Sequence, residues 1–393
     1  MANASQMTTA ATSAPDGSSR PINLFDLLRV LGALMVMWGH AHSLTGFPPP
    51  GWFGNAIGTL GVKLFFVISG LLITRSWMAD PRPWAFAQRR ILRIMPGLIL
   101  VTVVAAFLLG PLVTTLSLHE YLTSSGARLY LRNTLLFPVY SLPGVFADNP
   151  YPSAVNGSLW SLPAEVLMYI LTPLLVGRPG PASRWGILVG AVLSAVVGIY
   201  FNRIAPLNPQ PVVYGSSIPQ VLEMMAYFQI GSVCAVFNLE RFARPGLSLA
   251  LLVTCATGLK AVENLSNTSV LSEVVLLLTL PFAVISVGEV TLSGLAACVL
   301  SMGDISYGLY LYSFPVEQLV SHLFHGIGPR HNFAYALPIT VICAIMSWKL
   351  AEQPSLKLKP RRARRPENPA GAASTPSRPP AGDEAIPFAA PGQ

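Results

Sequence analysis

The chain has 393 residues, of which 52% are hydrophobic and only 11% are charged. Soluble domains carry about 25% charged residues, so this composition excludes an ordinary soluble protein and indicates a membrane protein. Much of the net charge of +8 lies in two short segments, 75–93 and 349–365. Basic residues that flank apolar spans explain this distribution, and a nucleic-acid-binding surface does not.

Apolar stretches of about 20 residues recur along the chain and predict an all-α integral membrane protein with about ten transmembrane helices and no soluble domain. The predicted helices span 22–43, 56–77, 94–116, 159–176, 185–203, 219–237, 247–262, 270–287, 304–324 and 335–350. Counting the crossings places both termini in the cytoplasm, with most Arg and Lys residues in the inner connectors. We therefore expect a multi-pass protein of the cytoplasmic (inner) membrane, in which the lipid bilayer is the main partner.

Polar segments precede and follow this transmembrane domain, which is predicted to span 22–354. Residues 1–21 are rich in Ala, Ser and Thr, and residues 355–393 are basic and rich in Pro and Ala. Segments of this composition bury too little apolar surface to fold, so both are expected to be disordered cytoplasmic tails. The long segment 117–158 is Pro/Gly-rich and is expected to lie outside, where it could shape a pocket for an acceptor.

The first predicted helix carries Asp26, Arg29 and His40, although ionisable residues inside a span are costly and usually functional. Arg29 and His40 are eleven residues apart, which places them on one helix face, about 16 Å apart along the axis. Asp26 falls within about 40° of the same line. This alignment favours a membrane-embedded active site centred on His40, whose imidazole can act as a general base. The alternative is a polar residue that hydrogen-bonds to a neighbouring helix.

A second acid, Glu165, lies in the outer half of the fourth predicted helix, at the expected depth of His40. A carboxylate in this position needs a partner, and it could orient His40, bind a sugar hydroxyl or pair with an arginine. Elsewhere, Lys63 is expected to extend its ammonium group to the outer surface. Glu223 has no partner that the sequence identifies.

Four arginines, Arg75, Arg89, Arg90 and Arg93, cluster at the inner ends of the second and third predicted helices. Arg90 and Arg93 are three residues apart and project to one side of a helix. Guanidinium groups bind phosphates in a bidentate manner, so this cluster is a candidate anion site, with an ordinary positive-inside cluster as the alternative. No Cys/His spacing predicts a metal site.

Six stretches in order resemble the acyltransferase-3 family of membrane-bound O-acyltransferases, which includes bacterial O-antigen and exopolysaccharide O-acetylases. The stretches are the R-x10-H helix from Arg29 to His40, GVKLFFVISGLLI (61–73), RRILRIMP (89–96), SLWSLPAEVLMY (158–169), GDISYGLYLYSFPV (303–316) and Glu352-x-Pro354. One position departs from the pattern, since many members have a histidine where this chain has Ser313. The resemblance covers all ten predicted helices.

The resemblance implies an O-acetyltransferase that moves an acyl group, usually acetyl, from cytoplasmic acetyl-CoA or another acyl-CoA to a hydroxyl of a carbohydrate or glycolipid at the extracytoplasmic side. It implies that His40 is catalytic and that Glu165 is the acid of helix 4. Arg29, Arg90 and Arg93 correspond to its essential arginines, and we expect Arg89 and Arg75 to assist in binding the CoA phosphates. No metal is implied. General-base catalysis and an acyl-histidine intermediate remain alternative schemes.

Two functions of other classes fit parts of the pattern. A transporter of an anionic or lipid-linked solute could use Asp26, Arg29 and Glu165 to line its path. The absence of paired broken helices counts against this alternative. A non-catalytic membrane partner of a polysaccharide assembly complex is a third possibility, and the complete set of Arg29, His40 and Glu165 argues against it.

Overall fold

Long helices form most of the protein in the computed structural model, which describes residues 22–177, 181–262, 269–292 and 305–360. Ten of the helices in these ranges have at least 16 residues. They are α1 Phe25–Leu44, α2 Ile57–Ala79, α3 Pro83–Val104, α4 Ser161–Val176, α5 Pro181–Ile199, α6 Ile218–Phe237, α7 Pro245–Val262, α8 Ser269–Gly288, α9 Ser306–Leu323 and α10 Pro329–Ser347. They fall at the ten predicted positions. The predicted tail 1–21 and residues 361–393 of the other tail lie outside the described residues.

Single wide turns extend three of these helices, and short helices occupy some of the connections. π-Helical turns follow α3 at Ala105–Leu109, α5 at Tyr200–Ile204 and α10 at Trp348–Glu352, and α-helix resumes at Gly110–Val113 and Gln353–Leu356. The short α-helices are Leu118–Thr123 and Ser125–Tyr130, and the 3₁₀ turns are Leu131–Leu135, Gly157–Trp160 and Leu239–Phe242.

Three antiparallel pairs of two-residue strands complete the described structure. β2 (Gly51–Trp52) pairs with β3 (Asn55–Ala56), and β4 (Val212–Val213) pairs with β5 (Ser216–Ser217). β1 (Ile22–Asn23) pairs with the distant β6 (Thr291–Leu292), with Ile22 opposite Leu292. The first helix begins at Phe25 and not at the predicted Ile22, because Ile22 and Asn23 form a strand that pairs with β6.

Seven of the described helices are long and apolar enough to cross a membrane, and they are among the ten long helices that lie at the predicted positions. The seven are Ile57–Ala79, Pro83–Val113, Gly157–Val176, Arg184–Ile204, Ile218–Phe237, Ser269–Gly288 and Pro329–Leu356. The remaining apolar helix, in α7, is shorter. α1 and α9 are more polar, and they pack against each other and against α2 and α10 inside the bundle. A helix that contacts other helices can carry polar groups that lipid would not tolerate.

Glycines bring α2 close to its neighbours. A side chain on Gly70 would overlap the carbonyl oxygen of Phe228 in α6, and a side chain on Gly231 would overlap that of Val67. A Cβ on Gly61 would lie 2.5 Å from the carbonyl oxygen of Gly32 in α1. Small residues let membrane helices approach in this way.

The third helix begins at Pro83, eleven residues before its predicted start, so the arginine cluster lies on a helix and not in a connector. Proline favours the first turn of a helix because its missing N–H has no partner there. The segment 117–158 is partly helical and packs on α9 through Gln318. The Gln318 side chain accepts a hydrogen bond from Asn149 at 2.7 Å and donates to the carbonyl oxygens of Tyr151 and Ala154 at 2.8 and 2.7 Å.

A buried ionic network corrects the prediction that Lys63 reaches the outer surface. The Lys63 side chain is fully buried, and its ammonium lies 2.7 Å from carboxylate oxygens of both Glu223 and Glu273. Arg203 lies 2.9 Å from Glu273, so two cations face two carboxylates. The sequence identified no partner for Glu223, and the structure supplies Lys63 because α2, α6 and α8 converge there.

Candidate active site

Two cavities lie along α1, α2, α4 and α9, the polar core of the bundle. The arginine cavity is lined by Arg29, Val62, Phe65, Phe66, Ser69, Ile73, Arg90, Arg93, Ile94, Ser161, Leu162, Glu165, Tyr169, Ser306, Tyr307 and Tyr310. The histidine cavity is lined by Val36, Gly39, His40, Ser43, Pro49, Ala56, Gly58, Thr59, Val62, Trp160 and Tyr310. Val62 and Tyr310 line both, so the two cavities adjoin each other.

Three guanidinium groups and one carboxylate line the arginine cavity, which gives it a net positive charge. Arg29 forms a salt bridge of 3.0 Å with Asp26, one turn earlier on α1. Arg93 lies 3.9 Å from the buried Glu352, so this acid faces the arginine cluster instead of solvent. A cavity of this charge, between helices, can hold an anion such as a phosphate.

Arg90 has the least compensated charge of the three. Its guanidinium lies 5.8 Å from the ring centroids of both Phe86 and Tyr169, and its buried Nε has no hydrogen-bond partner. Among the described residues, no carboxylate forms a salt bridge with it. A cation held by two aromatic rings alone remains available for an anionic ligand.

Glu165 lies in the arginine cavity and does not line the histidine cavity. Its Oε1 accepts hydrogen bonds from the Tyr169 hydroxyl at 2.5 Å and from the Ser69 hydroxyl at 3.3 Å. The sequence left three roles open for Glu165. Its position in the same cavity as the three arginines favours the role in which it pairs with an arginine.

Arg75 and Arg89 do not line either cavity, because each is held in an ion pair elsewhere. Arg75 lies 2.8 Å from Glu240 and 2.6 Å from Glu289. Arg89 is buried and lies 2.8 Å from Asp80. Hydrogen bonds from Arg82 and Arg89 hold the pKa of the Asp80 carboxyl well below its usual range. The contacts of Asp80 fix the connector between α2 and α3, and Arg90 and Arg93 lie beyond it in the first half of α3.

His40 stands at the wall of the histidine cavity with one side against α9. Its ring meets the edge of Phe314 at a centroid distance of 5.0 Å. Its Nδ1 lies 3.9 Å from Oε2 of Glu317, a fully buried acid of α9. Sequence reasoning missed Glu317, and the available signal was a lone acid in the otherwise apolar run YLYSFPVEQLV.

Tyr310 marks the junction between the cavities. Its hydroxyl donates to the carbonyl oxygen of Ser158 at 2.8 Å and lies 2.5 Å from the Ser161 hydroxyl. Its ring packs edge-on against Phe65 at 5.8 Å. These contacts fix the ring, so a group that passes from one cavity to the other must pass between Tyr310 and Val62.

Many members of the family have a histidine at the position of Ser313. Ser313 is buried one turn after Tyr310 on α9, and its hydroxyl donates to the carbonyl oxygen of Tyr310 at 3.4 Å. It lines neither cavity. No group of three or more His, Cys, Asp or Glu residues that could hold a metal ion occurs within 22–177, 181–262, 269–292 or 305–360.

Comparison with known proteins decides the family. Residues 22–349 match the model of the acyltransferase-3 family, which is described as an acyltransferase domain. The chain belongs to this family. It is therefore a membrane-bound O-acyltransferase, as the resemblance implied, and the matched segment contains every lining residue of both cavities.

Two relatives of this acyltransferase match over nearly their whole length. An O-acetyl transferase of Shigella phage Sf6 is 28% identical over 338 residues, which cover 84% of this chain and 95% of that protein. Nodulation protein 10 of Rhizobium leguminosarum bv. viciae is 30% identical over 368 residues, which cover 87% of this chain and 95% of that protein. No solved structure matches the chain.

Proposed function

We propose that this acyltransferase moves an acetyl group from cytoplasmic acetyl-CoA to a hydroxyl of a carbohydrate or glycolipid acceptor at the extracytoplasmic side of the inner membrane. The observation that carries the proposal is the pair of adjoining cavities, one lined by arginines and the other by His40. A two-substrate transfer needs two compartments that meet at the reacting atoms. The name of the phage relative supports acetyl as the transferred group.

The donor binds in the arginine cavity in this proposal. Its phosphates lie against Arg90 and Arg93 in the first half of α3, because guanidinium groups bind phosphate strongly. Arg29 lines the same cavity and donates hydrogen bonds to the uncharged pantetheine part of the donor. Arg75 and Arg89 are occupied by acids outside the cavity. Arg89 holds the α2–α3 connector in place through Asp80, and Arg75 ties α2 to the segments that follow α6 and α8.

The acceptor hydroxyl binds in the histidine cavity, and His40 acts as its general base. The hydroxyl oxygen attacks the thioester carbonyl carbon near Tyr310, where the two cavities adjoin. A C–O bond forms and the C–S bond breaks. The hydroxyl proton passes to His40 and then to the departing CoA thiolate, so the products are an ester and free CoA. Glu165 helps to bind the donor through the arginine side.

Acetyl transfer from radiolabelled acetyl-CoA in membranes that contain the protein tests this proposal. Label on a glycan or hydroxylated small molecule is expected with the natural chain, and His40→Ala should lower its rate at least about 100-fold, as loss of a general base does. Arg90→Gln should raise the KM for acetyl-CoA with a smaller effect on kcat. Transfer that persists in His40→Ala would contradict the role of His40, and a labelled His40 peptide would favour the acyl-histidine scheme.

His42 provides the matched control, since it lies two residues from His40 on the same helix. Its Nδ1 is 3.0 Å from the carbonyl oxygen of Trp38, and it lines neither cavity. His42→Ala should therefore retain transfer. Equal losses in the two variants would show a general effect on the helix and would overturn the assignment of His40.

A further inference from the structure

Glu317 is a buried acid of α9 whose carboxylate has no hydrogen-bond partner among the described residues. Its side chain is fully buried, and neither carboxylate oxygen has a hydrogen-bond partner. A buried carboxylate without a partner is costly, so its retention needs a reason. Nδ1 of His40 lies 3.9 Å from Oε2 of Glu317, and this nitrogen is also buried without a hydrogen bond.

The surrounding contacts fix the position of this carboxylate along α9. The carbonyl oxygen of Glu317 accepts a hydrogen bond from Asn332 of α10 at 3.0 Å, and the same amide donates to Ser321 at 2.9 Å. The next residue, Gln318, accepts a hydrogen bond from Asn149 of the segment 117–158. The backbone that carries Glu317 is therefore held from two sides, while its carboxylate is left facing His40.

We propose that Glu317 is the positioning residue of the active-site histidine, an inference that rests on the proposed function of His40. The Glu317 carboxylate takes the hydrogen bond of Nδ1–H, which leaves Nε2 unprotonated as the base for the acceptor hydroxyl. It also stabilises the imidazolium that forms when His40 takes the proton. Catalytic hydrogen bonds often lengthen in the absence of substrate, so a separation of 3.9 Å shortens when the site is filled.

This assignment separates the two acids of the site by role. Glu165 accepts hydrogen bonds from Tyr169 and Ser69 inside the arginine cavity, and its contacts are with donor-side residues. Glu317 approaches His40 from α9, on the side of the ring that carries Nδ1. The positioning role that the sequence left open for Glu165 therefore belongs to Glu317.

The experiment compares the reactivity of individual histidines in the full-length protein in detergent at pH 8. Diethyl pyrocarbonate modifies unprotonated imidazole nitrogens, and mass spectrometry of the peptides gives a rate for each histidine. In Glu317→Gln, His40 should react about tenfold more slowly, as expected for loss of a carboxylate that orients an imidazole. His42, whose Nδ1 already faces a carbonyl oxygen, should react at the unchanged rate and is the internal reference.

Kinetics and a matched variant distinguish positioning from packing. Glu317→Gln should lower kcat for acetyl transfer about 10- to 100-fold and leave the KM for acetyl-CoA unchanged, and Glu317→Asp should restore part of kcat. Val320→Ala, one turn farther along α9, removes buried apolar contacts at a residue that lines neither cavity, and it should leave both His40 readouts unchanged.

The outcomes separate this inference from the function on which it rests. Slower modification of His40 in Glu317→Gln, with no acetyl transfer by the natural chain, would uphold the positioning role and overturn the proposed reaction. Acetyl transfer by the natural chain with equal His40 reactivity and equal kcat in Glu317→Gln would overturn the positioning role alone. Parallel loss of His40 and His42 reactivity would show a structural role and would also overturn it.

Discussion

One lysine holds two buried acids together where α2, α6 and α8 meet. Lys63 contacts Glu223 and Glu273 at 2.7 Å each, and it also donates to Asn55 at 2.8 Å. The Tyr227 hydroxyl donates to Glu273 at 2.7 Å. A buried ion pair adds little compared with apolar residues of the same size, but removal of one partner leaves a charge with no compensation.

Replacement of this lysine by an apolar residue of similar length should therefore destabilise the protein strongly. We expect Lys63→Met to lower the free energy of unfolding by about 3–5 kcal/mol, because two carboxylates would then share only Arg203. The midpoint of unfolding in detergent measures the effect. The double variant Lys63→Met/Glu223→Gln should recover part of the loss, since it removes one uncompensated charge.

Lys260 is the matched control, because it is a lysine on the surface of α7. Lys260→Met should change the unfolding midpoint little, as exposed charges contribute little to stability. Equal midpoints for Lys63→Met and the natural chain would mean that the acids are neutral in the folded protein, and the network described above would then be wrong.

Residues on one helix could be related from the sequence, and residues on distant helices could not. Arg29 and His40 share α1, and helical spacing alone predicts that they share a face. Glu273 follows Lys63 by 210 residues and Glu317 follows His40 by 277. No local pattern records such a pairing. The partners of Lys63, Glu223 and His40 that sequence reasoning missed all lie on helices distant in sequence.

At the scale of elements, α2 connects the ionic network, the close helix packing and both cavities. Its Lys63 forms salt bridges with acids of α6 and α8, and its glycines allow close packing against α1 and α6. Val62 lies between these regions and lines both cavities. Val62 and Tyr310 flank the place where the proposed acyl group moves from one cavity to the other, and Tyr310 is held there by Ser158 and Ser161.

A smaller residue at Val62 should therefore admit longer acyl groups. We expect Val62→Ala to raise the ratio of kcat/KM for butanoyl-CoA to that for acetyl-CoA about tenfold, which is the discrimination one or two methylene groups provide in an apolar pocket. A series of acetyl-, propanoyl- and butanoyl-CoA in the transfer assay measures this ratio.

Val67→Ala is the control for loss of a buried valine from the same helix. Val67 is fully buried in the main hydrophobic core and lines neither cavity. This variant should lose stability without a change in acyl-chain preference. If both variants shift the preference equally, or if neither does, then the passage beside Val62 does not select the acyl group.

The ten long helices could be predicted because each is an apolar stretch of suitable length, but hydropathy alone does not identify their environment. α1, which carries Arg29 and His40, and α9, which carries Tyr310 and Glu317, are not among the seven helices that qualify as spans by length and composition. Both lie against other helices, and that packing follows from the whole fold. The start of α3 was placed too late because Arg89, Arg90 and Arg93 interrupt the apolar pattern without breaking the helix.

At the scale of the whole molecule, the proposed reaction requires the two cavities to open towards opposite sides of the membrane. Arg90 and Arg93 lie near the end of α10, where Glu352 approaches Arg93. His40 lies near the C-terminal end of α1, and the loop that contains Phe47 follows this helix. A donor from the cytoplasm therefore requires the Glu352 end inside and the Phe47 loop outside, which is the orientation that the positive-inside rule predicts.

Labelling of single cysteines with a membrane-impermeant maleimide tests this orientation in intact cells. In a background without the four native cysteines, Phe47→Cys should react from outside, and Leu358→Cys should react only after the membrane is permeabilised. Both positions are well exposed, at 51% and 73%, so access to the reagent depends on the side of the membrane and not on burial. Reaction of Leu358→Cys in intact cells would place the arginine cavity outside. The donor would then have to come from that side, and cytoplasmic acetyl-CoA could not supply the reaction.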